Sequence, residues 1–251
     1  FVDSGGNWAI LSGNTCFWQV RYSADHRSMI CYKAGARNAD PVRGTDREQT
    51  LTSCWSDPLV GRPETTTIGL SFTRGGYCRV GDAVPRGSGG YTVRTPTHWV
   101  FAGTGLRYGD ELGASATVVG YEVDGCAMSL SAGRLRPTGE DGAPDTLEVL
   151  AVAPAHLISI TDDHCEAPPA LWASVEPPGD LEWVASILFG DAPTENTSRI
   201  TNGHAVMGVF TRGEGTVFNA GSANWCYGLG VDPLVERITR NVVERLSRAA
   251  D

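Results

Sequence analysis

The sequence predicts an α/β fold, and three observations carry this prediction. Short apolar runs bounded by glycine and proline, such as residues 7–12, are typical of buried strands. Two apolar runs between residues 204 and 220 flank Arg212-Gly213-Glu214-Gly215, which is the pattern of a β-hairpin. An amphipathic helix is indicated after Asp232-Pro233. The 251-residue length suits one domain with a sizeable core.

The first residues predict the end of a helix followed by a buried strand. Phe1 to Gly6 has the composition of a last helical turn with a glycine stop, and residues 7–12 follow as the strand. Gly13-Asn14-Thr15-Cys16 is then a tight turn at the strand's C-terminal end, where open α/β sheets bind ligands. Because a free domain rarely begins in this way, we expect residues 1–251 to be the C-terminal part of a single catalytic domain of a longer protein.

The middle of the chain predicts short strands separated by long loops. Residues 28–32 form an apolar, strand-like run, and the polar residues 34–50 indicate a loop. Dense glycine and proline over residues 65–120 favour short strands rather than helices, with runs at 68–72 and 98–102. Residues 116–123 predict a further strand that ends near Asp124-Gly125.

Further elements follow from residue 137 onward, and those of the last 50 residues are the clearest. A turn is expected over residues 137–144, a strand and loop over 147–157 and a proline-rich loop over 162–180. Residues 181–189 are compatible with either a strand or a helix. After the hairpin, the final helix has apolar residues at helical spacing and two Glu–Arg pairs four residues apart.

Composition and charge exclude several functions. A formal net charge of −9 argues against a nucleic-acid-binding surface, which requires clustered basic residues. The sequence contains no apolar run long enough to span a membrane, and we expect no signal peptide. The seven cysteines are widely spaced and lack a C-x-x-C motif, so we expect reduced thiols in a cytoplasmic protein.

Six stretches, in order along the chain, resemble the N,N-dimethylformamidase large (beta) subunit family in its C-terminal region. They are Gly6-Asn7 through Ser12-Gly13-Asn14-Thr15-Cys16-Phe17-Trp18-Gln19-Val20-Arg21, then Arg62-Pro63-Glu64, Val100-Phe101-Ala102-Gly103-Thr104-Gly105-Leu106, Gly120-Tyr121-Glu122-Val123-Asp124-Gly125-Cys126, Gly203-His204-Ala205-Val206-Met207-Gly208 and Val217-Phe218-Asn219-Ala220-Gly221-Ser222. Together they cover nearly the whole chain.

The resemblance implies a fold, an activity and a cofactor. The implied fold is a partial, class I glutamine amidotransferase-like parallel sheet with β-rich insertions and the C-terminal hairpin plus helix. The implied reaction is hydrolysis of a small formamide or related amide to an amine and formate. The implied cofactor is a mononuclear ferric iron (Fe3+) held by two tyrosines and one glutamate, which corresponds to Glu64 here. Glu122 corresponds to a second carboxylate that activates water.

The implied tyrosine ligands lie upstream of the stretch that matches Phe1, so an upstream segment or a second polypeptide would have to supply them. The resemblance also leaves open a small companion subunit and an oligomeric assembly. Iron with an open coordination position can polarise the amide carbonyl, and a buried carboxylate can act as the base. Without the resemblance, a glutamate after Arg-Pro, such as Glu64, is typical of an exposed loop.

The turn after the first strand offers further candidates. Asn14 is a candidate catalytic residue that bonds the substrate or orients the base, although it is equally suited to satisfying the backbone of its own turn. Trp18 and Gln19 are candidate substrate-binding residues, and Trp18 is also a plausible core residue.

Two alternatives of other classes remain. Cys16 follows a strand as nucleophilic cysteines do, and a cysteine-dependent hydrolase requires this thiol to be exposed within reach of a histidine. A buried structural thiol is the more common role. The second alternative is a non-catalytic scaffold or binding domain that retains the fold and has lost the metal site.

Overall fold

The structure, a computed structural model, describes residues 1–79, 87–159, 179–190 and 193–248. Its centre is a six-stranded sheet in the spatial order β1-β12-β11-β10-β5-β6. These strands are β1 (Trp8–Ile10), β5 (Tyr91–Val93), β6 (Glu111–Leu112), β10 (Glu148–Ala155), β11 (Gly203–Arg212) and β12 (Gly215–Asn219).

The sheet is mixed, whereas the family resemblance implied a parallel one. Among the described strands, only β1 and β12 pair in parallel, with Trp8 opposite Val217 and Ile10 opposite Asn219. The other neighbouring strands in the sheet are antiparallel. The two-residue connection between β11 and β12 explains one of these pairings, because so short a link can join only antiparallel strands.

The remaining strands form three two-stranded ribbons. They are β2 (Arg21–Tyr22) with β3 (Met29–Ile30), β4 (Ser71–Tyr77) with β7 (Glu122–Gly125), and β8 (Met128–Ser131) with β9 (Arg134–Pro137). The described α-helices are α1 (Ala36–Ala39), α2 (Thr65–Ile68), α3 (Asp180–Phe189), α4 (Pro193–Ser198) and α5 (Pro233–Leu246).

The elements at both ends of the chain confirm the sequence-based expectations. The first turn is a 3-10 helix, Val2–Ser4, that ends at Gly5 with a φ of 90°. The predicted strand, hairpin and final helix are β1, β11–β12 and α5. Asp232 caps α5, and its side chain accepts hydrogen bonds from the backbone of Leu234 and Val235.

Several expectations for the middle of the chain were wrong or incomplete. Residues 98–102 contain a 3-10 helix, Trp99–Phe101, instead of a strand. The strand expected over residues 116–123 begins only at Glu122. Residues 34–50 contain short helical turns, and the undecided residues 181–189 are part of α3. The proline-rich loop over residues 162–180 lies almost entirely outside the described residues.

Hydrophobic cores lie on both faces of the sheet. Along β11, Ala205, Met207 and Val209 belong to the core that α5 covers. Val206 and Phe210 point to the opposite core, which includes Ile68 of α2. This alternation is expected because successive strand side chains point to opposite faces, and a strand covered on both sides reads as a continuous apolar run.

Ribbon β4–β7 brings the segment around Glu122 against the end of β1. A Cβ atom on Gly13 would lie 2.7 Å from the carbonyl oxygen of Glu122, and one on Gly75 would lie 2.0 Å from that of Val123. Only glycine permits backbones to approach this closely. The turn that follows β1 is therefore packed directly against β7.

Among the described residues, no helix has the length and apolar character needed to cross a membrane.

Candidate functional site

The turn after β1 is held in an unusual backbone conformation by a buried carboxylate. Asn14 and Cys16 have positive φ angles of 49° and 59°. The backbone N–H of Asn14 donates to Asp124 Oδ1 at 2.9 Å, and that of Thr15 donates to Oδ2 at 3.4 Å. A left-handed conformation of a non-glycine residue costs on the order of 1 kcal/mol, so it requires such support from its surroundings.

The same turn places Asn14 against Glu122. Asn14 Nδ2 donates to Glu122 Oε1 at 2.9 Å. Burial raises the pKa of Glu122, the Asn14 bond lowers it, and the charge of Asp180 raises it further. The two residues predicted to be catalytic are therefore in direct contact, and the raised pKa suits a general base.

Glu64 is a buried carboxylate at the start of α2, and not the exposed loop residue that general statistics favour. Its side chain accepts a hydrogen bond from Ser71 Oγ at 2.6 Å and one from Ser56 Oγ at 2.7 Å. Burial raises the pKa of Glu64 to about 7, although the two serine bonds act in the opposite direction. Among the described residues, no arginine, lysine or histidine forms an ion pair with this carboxylate.

Asp124 is a third carboxylate, and its pKa depends on the charges of both Glu64 and Glu122. Its side chain is fully buried, and burial raises its pKa to about 7 despite the bonds from Asn14 and Thr15. The charges of Glu64 and Glu122 raise the pKa further. Asp124 was not among the candidate site residues predicted from the sequence. Its signal was present nonetheless, because a residue two positions after Glu122 on a strand points to the same face.

An open cavity of about 470 Å³ adjoins Glu64. Cys16, Trp55, Arg62 and Glu64 are among its lining residues. The Arg62 guanidinium lies 5.1 Å from the centre of the Trp55 ring, and it donates to Gln19 Oε1 at 2.8 Å. The cavity is thus lined by one aromatic ring, by two arginines (Arg62 and Arg212) and by one buried carboxylate.

The two predicted substrate-binding residues lie outside this cavity. Gln19 is 3% exposed and donates to the backbone carbonyls of Gln49 and Leu51. It therefore positions Arg62 instead of lining the cavity itself. Trp18 packs in an aromatic cluster, with its ring centre 4.7 Å from that of Phe17 and 5.3 Å from that of Trp183. Trp55 is the tryptophan that lines the cavity.

Cys16 meets only part of what nucleophilic catalysis requires. The thiol is exposed and lines the cavity. Its pKa is raised by burial and by the charges of Glu64 and Asp124, which disfavours the reactive thiolate. Within the described chain, no hydrogen bond joins Cys16 to a histidine, which a nucleophilic thiol requires as its base.

Glu64 fits one ligand position of the ferric iron that the family resemblance implied. It offers a hard oxygen donor at a cavity and has no cationic partner in the described chain. Tyr77 and Tyr91 do not complete the set, because their hydroxyls donate to Asp180 and to the carbonyl of Ala220. The part of the chain that the structure describes contains no group of three or more His, Cys, Asp or Glu arranged for a metal.

Fold and site together define a mixed α/β domain with a cluster of buried carboxylates at the end of its edge strand. A family model described as "N,N-dimethylformamidase beta subunit-like, C-terminal" matches residues 1–240 of the chain, and the chain belongs to this family. The resemblance inferred from the six motifs is confirmed, including the C-terminal region of the subunit. Among curated proteins, none matches the chain.

Proposed function

We propose that this domain takes part in the hydrolysis of a small N-substituted formamide or a related amide. The observation that carries the proposal is the buried Glu64 carboxylate, which lies at a cavity without a cationic partner among the described residues. A carboxylate that is desolvated in this way is costly unless a cation or a proton neutralises it. Membership of a family named after an amide-hydrolysing enzyme supports the reaction class.

In this proposal Glu64 is the protein ligand of a mononuclear iron. Ser56 and Ser71 each donate to one oxygen of Glu64, which fixes the carboxylate plane and leaves a further lone pair on each oxygen. When bound, the iron supplies a Lewis acid that polarises the amide carbonyl. The tyrosine ligands would come from outside this chain.

Glu122 acts as the base that takes a proton from the attacking water. Its raised pKa brings it closer to the operating pH, where proton transfer is most effective. The bond from Asn14 Nδ2 engages Oε1 and orients the carboxylate. The water oxygen forms a bond to the formyl carbon, the carbon–nitrogen bond breaks, and the abstracted proton goes to the departing amine.

We further propose that the sheet is completed to a glutamine amidotransferase-like architecture along β1. This strand lies at the edge of the sheet and is parallel to its neighbour. Among the described strands, none pairs with its outer edge. An upstream segment or second polypeptide that adds parallel strands there would bring the tyrosines to the domain. A small companion subunit and an oligomeric assembly belong to the same proposal.

The test compares two isosteric variants in the protein purified together with its upstream polypeptide. Glu64→Gln is expected to lose iron, amidase activity and any tyrosinate-to-iron charge-transfer band. Glu122→Gln is expected to retain the iron and the band while its kcat falls by about 100-fold or more, as expected for a lost general base. Glu244→Gln, on the exposed face of α5, is the control that should change neither property.

The same experiment separates the alternatives. A protein that binds no iron after reconstitution and shows no activity would support the non-catalytic scaffold. Activity that survives Glu64→Gln but is lost in Cys16→Ser would support the cysteine-dependent hydrolase, for which the exposed position of Cys16 is the favouring observation. Either outcome would contradict the iron-dependent reaction.

A further inference from the structure

Asp124 interacts with the charges of the neighbouring glutamates, and it also accepts hydrogen bonds from the turn after β1. Its side chain is fully buried, yet its bonds run to the backbone of a turn that is distant in sequence. Each carboxylate oxygen accepts one N–H of that turn, Oδ1 from Asn14 and Oδ2 from Thr15. Both donors belong to the strained Asn14–Cys16 segment, in which Asn14 and Cys16 have positive φ angles.

The strand that carries Asp124 is itself fixed by close backbone contacts. The backbone N–H of Asp124 donates to the carbonyl of Gly221 at 2.9 Å. The backbone N–H of Ala223 donates to the carbonyl of Glu122, also at 2.9 Å. A Cβ atom on Gly75 would lie 2.9 Å from the Cα of Asp124. The backbone of Asp124 is therefore held firmly in place, and its side chain bonds to the strained turn.

From this geometry we propose that Asp124 is a positioning residue, which holds the turn after β1 so that Asn14 orients Glu122. The chain of contacts runs from Asp124 to the backbone of Asn14 and Thr15, and from the Asn14 amide to Glu122. The expected effect of Asp124 on kcat rests on the proposed function. Its expected effect on the order of the turn does not.

Asparagine is the informative replacement for Asp124. An amide has nearly the same shape as a carboxylate, but it accepts hydrogen bonds at only one of its two ends. Because both oxygens of Asp124 accept a backbone N–H, Asp124→Asn must leave one of the two donors without a partner. The turn is then expected to relax and to release the Asn14 side chain from Glu122.

Asp141→Asn is the matched control. Asp141 is likewise a largely buried aspartate whose oxygens accept backbone N–H groups, from Ala127 at 2.6 Å and from Ala143 at 3.2 Å. Its charge also raises the pKa of Glu64. Among the described residues, no hydrogen bond joins Asp141 to the turn after β1, so its variant removes a similar charge near Glu64 without releasing Asn14.

Hydrogen exchange, resolved by NMR, tests the structural part without any activity. In the wild-type protein the amides of Asn14 and Thr15 should exchange slowly. The amide of Arg27, which bonds to Asp25 at 3.2 Å in an exposed turn, should exchange fast. Asp124→Asn should accelerate exchange at Asn14 and Thr15 and at the Asn14 side-chain NH2, and Asp141→Asn should not. Fast exchange of the two turn amides in the wild-type protein would overturn the proposal even if Asp124→Asn does not fold.

A double-mutant cycle on the iron-loaded protein tests the kinetic part. Asp124→Asn should retain iron and KM and lower kcat by about 10- to 100-fold, the range typical of residues that orient a functional group. If Asp124 acts through Asn14, then Asn14→Ala combined with Asp124→Asn should cost no more than Asn14→Ala alone. Additive losses of kcat would contradict this. A protein without any amidase activity would refute the proposed function, while the exchange data would still decide the role of Asp124.

Discussion

Individual residues in this chain show how the surroundings of a buried carboxylate determine its pKa. Asp40 is buried with a cationic partner, since Arg21 donates to both of its oxygens at 2.6 Å. Burial alone would raise its pKa, but the bonds from Arg21 and from Thr52 hold that pKa well below its usual range. Glu64 and Asp124 lack such a partner in the described chain, and the pKa of each is raised to about 7.

The Arg21–Asp40 pair leads to a prediction about stability and pH. Because the pKa of Asp40 is depressed in the folded state, its stabilisation is present above the usual aspartate pKa and is lost as the pH falls. Arg21→Gln should lower the free energy of unfolding by about 3 kcal/mol at pH 7, since it leaves a buried charge unpaired. The loss should shrink below a pH of about 4, where Asp40 of the unfolded chain is protonated.

Denaturant unfolding at several pH values measures this effect. Arg43→Gln is the matched control, because Arg43 pairs with Glu48 at the surface, where such a pair contributes less than about 1 kcal/mol. Equal losses in the two variants, or a loss for Arg21→Gln that does not change with pH, would contradict the prediction.

Among the elements, ribbon β4–β7 determines the geometry of the candidate site, because it places Glu122 and Asp124 beside the end of β1. The strand register shifts between Ser71 and Gly76, and the irregular segment runs close to the backbone of β7. Gly75 therefore has a specific role. A Cβ atom there would lie 2.0 Å from the carbonyl oxygen of Val123, which is closer than atoms can approach.

We expect Gly75→Ala to separate β4 from β7 and to lower the free energy of unfolding by more than about 3 kcal/mol, because backbone must move to accept the methyl group. Gly35→Ala is the control. It has a φ of −79° and no atom within 4 Å of the added carbon, so the change should be neutral or stabilise by about 0.5 kcal/mol. Thermal unfolding of both variants provides the comparison, and similar midpoints would show that the close approach does not exist.

Some of these elements could be predicted from local pattern and others could not. The final helix was predictable because its cap and its apolar spacing lie within one segment. Residues 98–102 read as a strand, but His98 caps a 3-10 helix whose Val100 and Phe101 are buried in the core beneath α5. A run this short is apolar in either conformation, so tertiary packing decides between them.

At the scale of the whole molecule, the open edge of β1 leads to the last prediction. If upstream strands complete the sheet there, the amides of residues 8–10 that point away from β12 become hydrogen-bonded. Hydrogen exchange in this segment should then slow by at least about 100-fold in the full assembly compared with this chain alone, as expected when a free edge becomes an inner strand. Residues 111–112, at the opposite edge of the sheet, provide an internal control. Unchanged exchange at β1 would contradict the completion of the sheet along this strand.

The sequence by itself determined the family and the terminal elements, while the roles of the site residues that it selected stay predictions. Asn14, Glu64 and Glu122 were selected from motifs, and the structure places Asn14 in contact with Glu122 and Glu64 at a cavity. The residues selected from the sequence did not include Asp124 or Trp55. Trp18 and Gln19 were predicted to bind the substrate, whereas Trp18 packs against Trp183 and Gln19 donates to the backbone carbonyl of Leu51.

Only the tertiary structure decided these points, and the reason is physical. Motifs record which residue types occur side by side in the chain. The pKa of Asp124 depends on its burial and on the charges of Glu122 and Glu64, which lie 2 and 60 positions away in sequence. The mixed order of the sheet likewise depends on which strands pair across long separations, and no local pattern encodes such pairings.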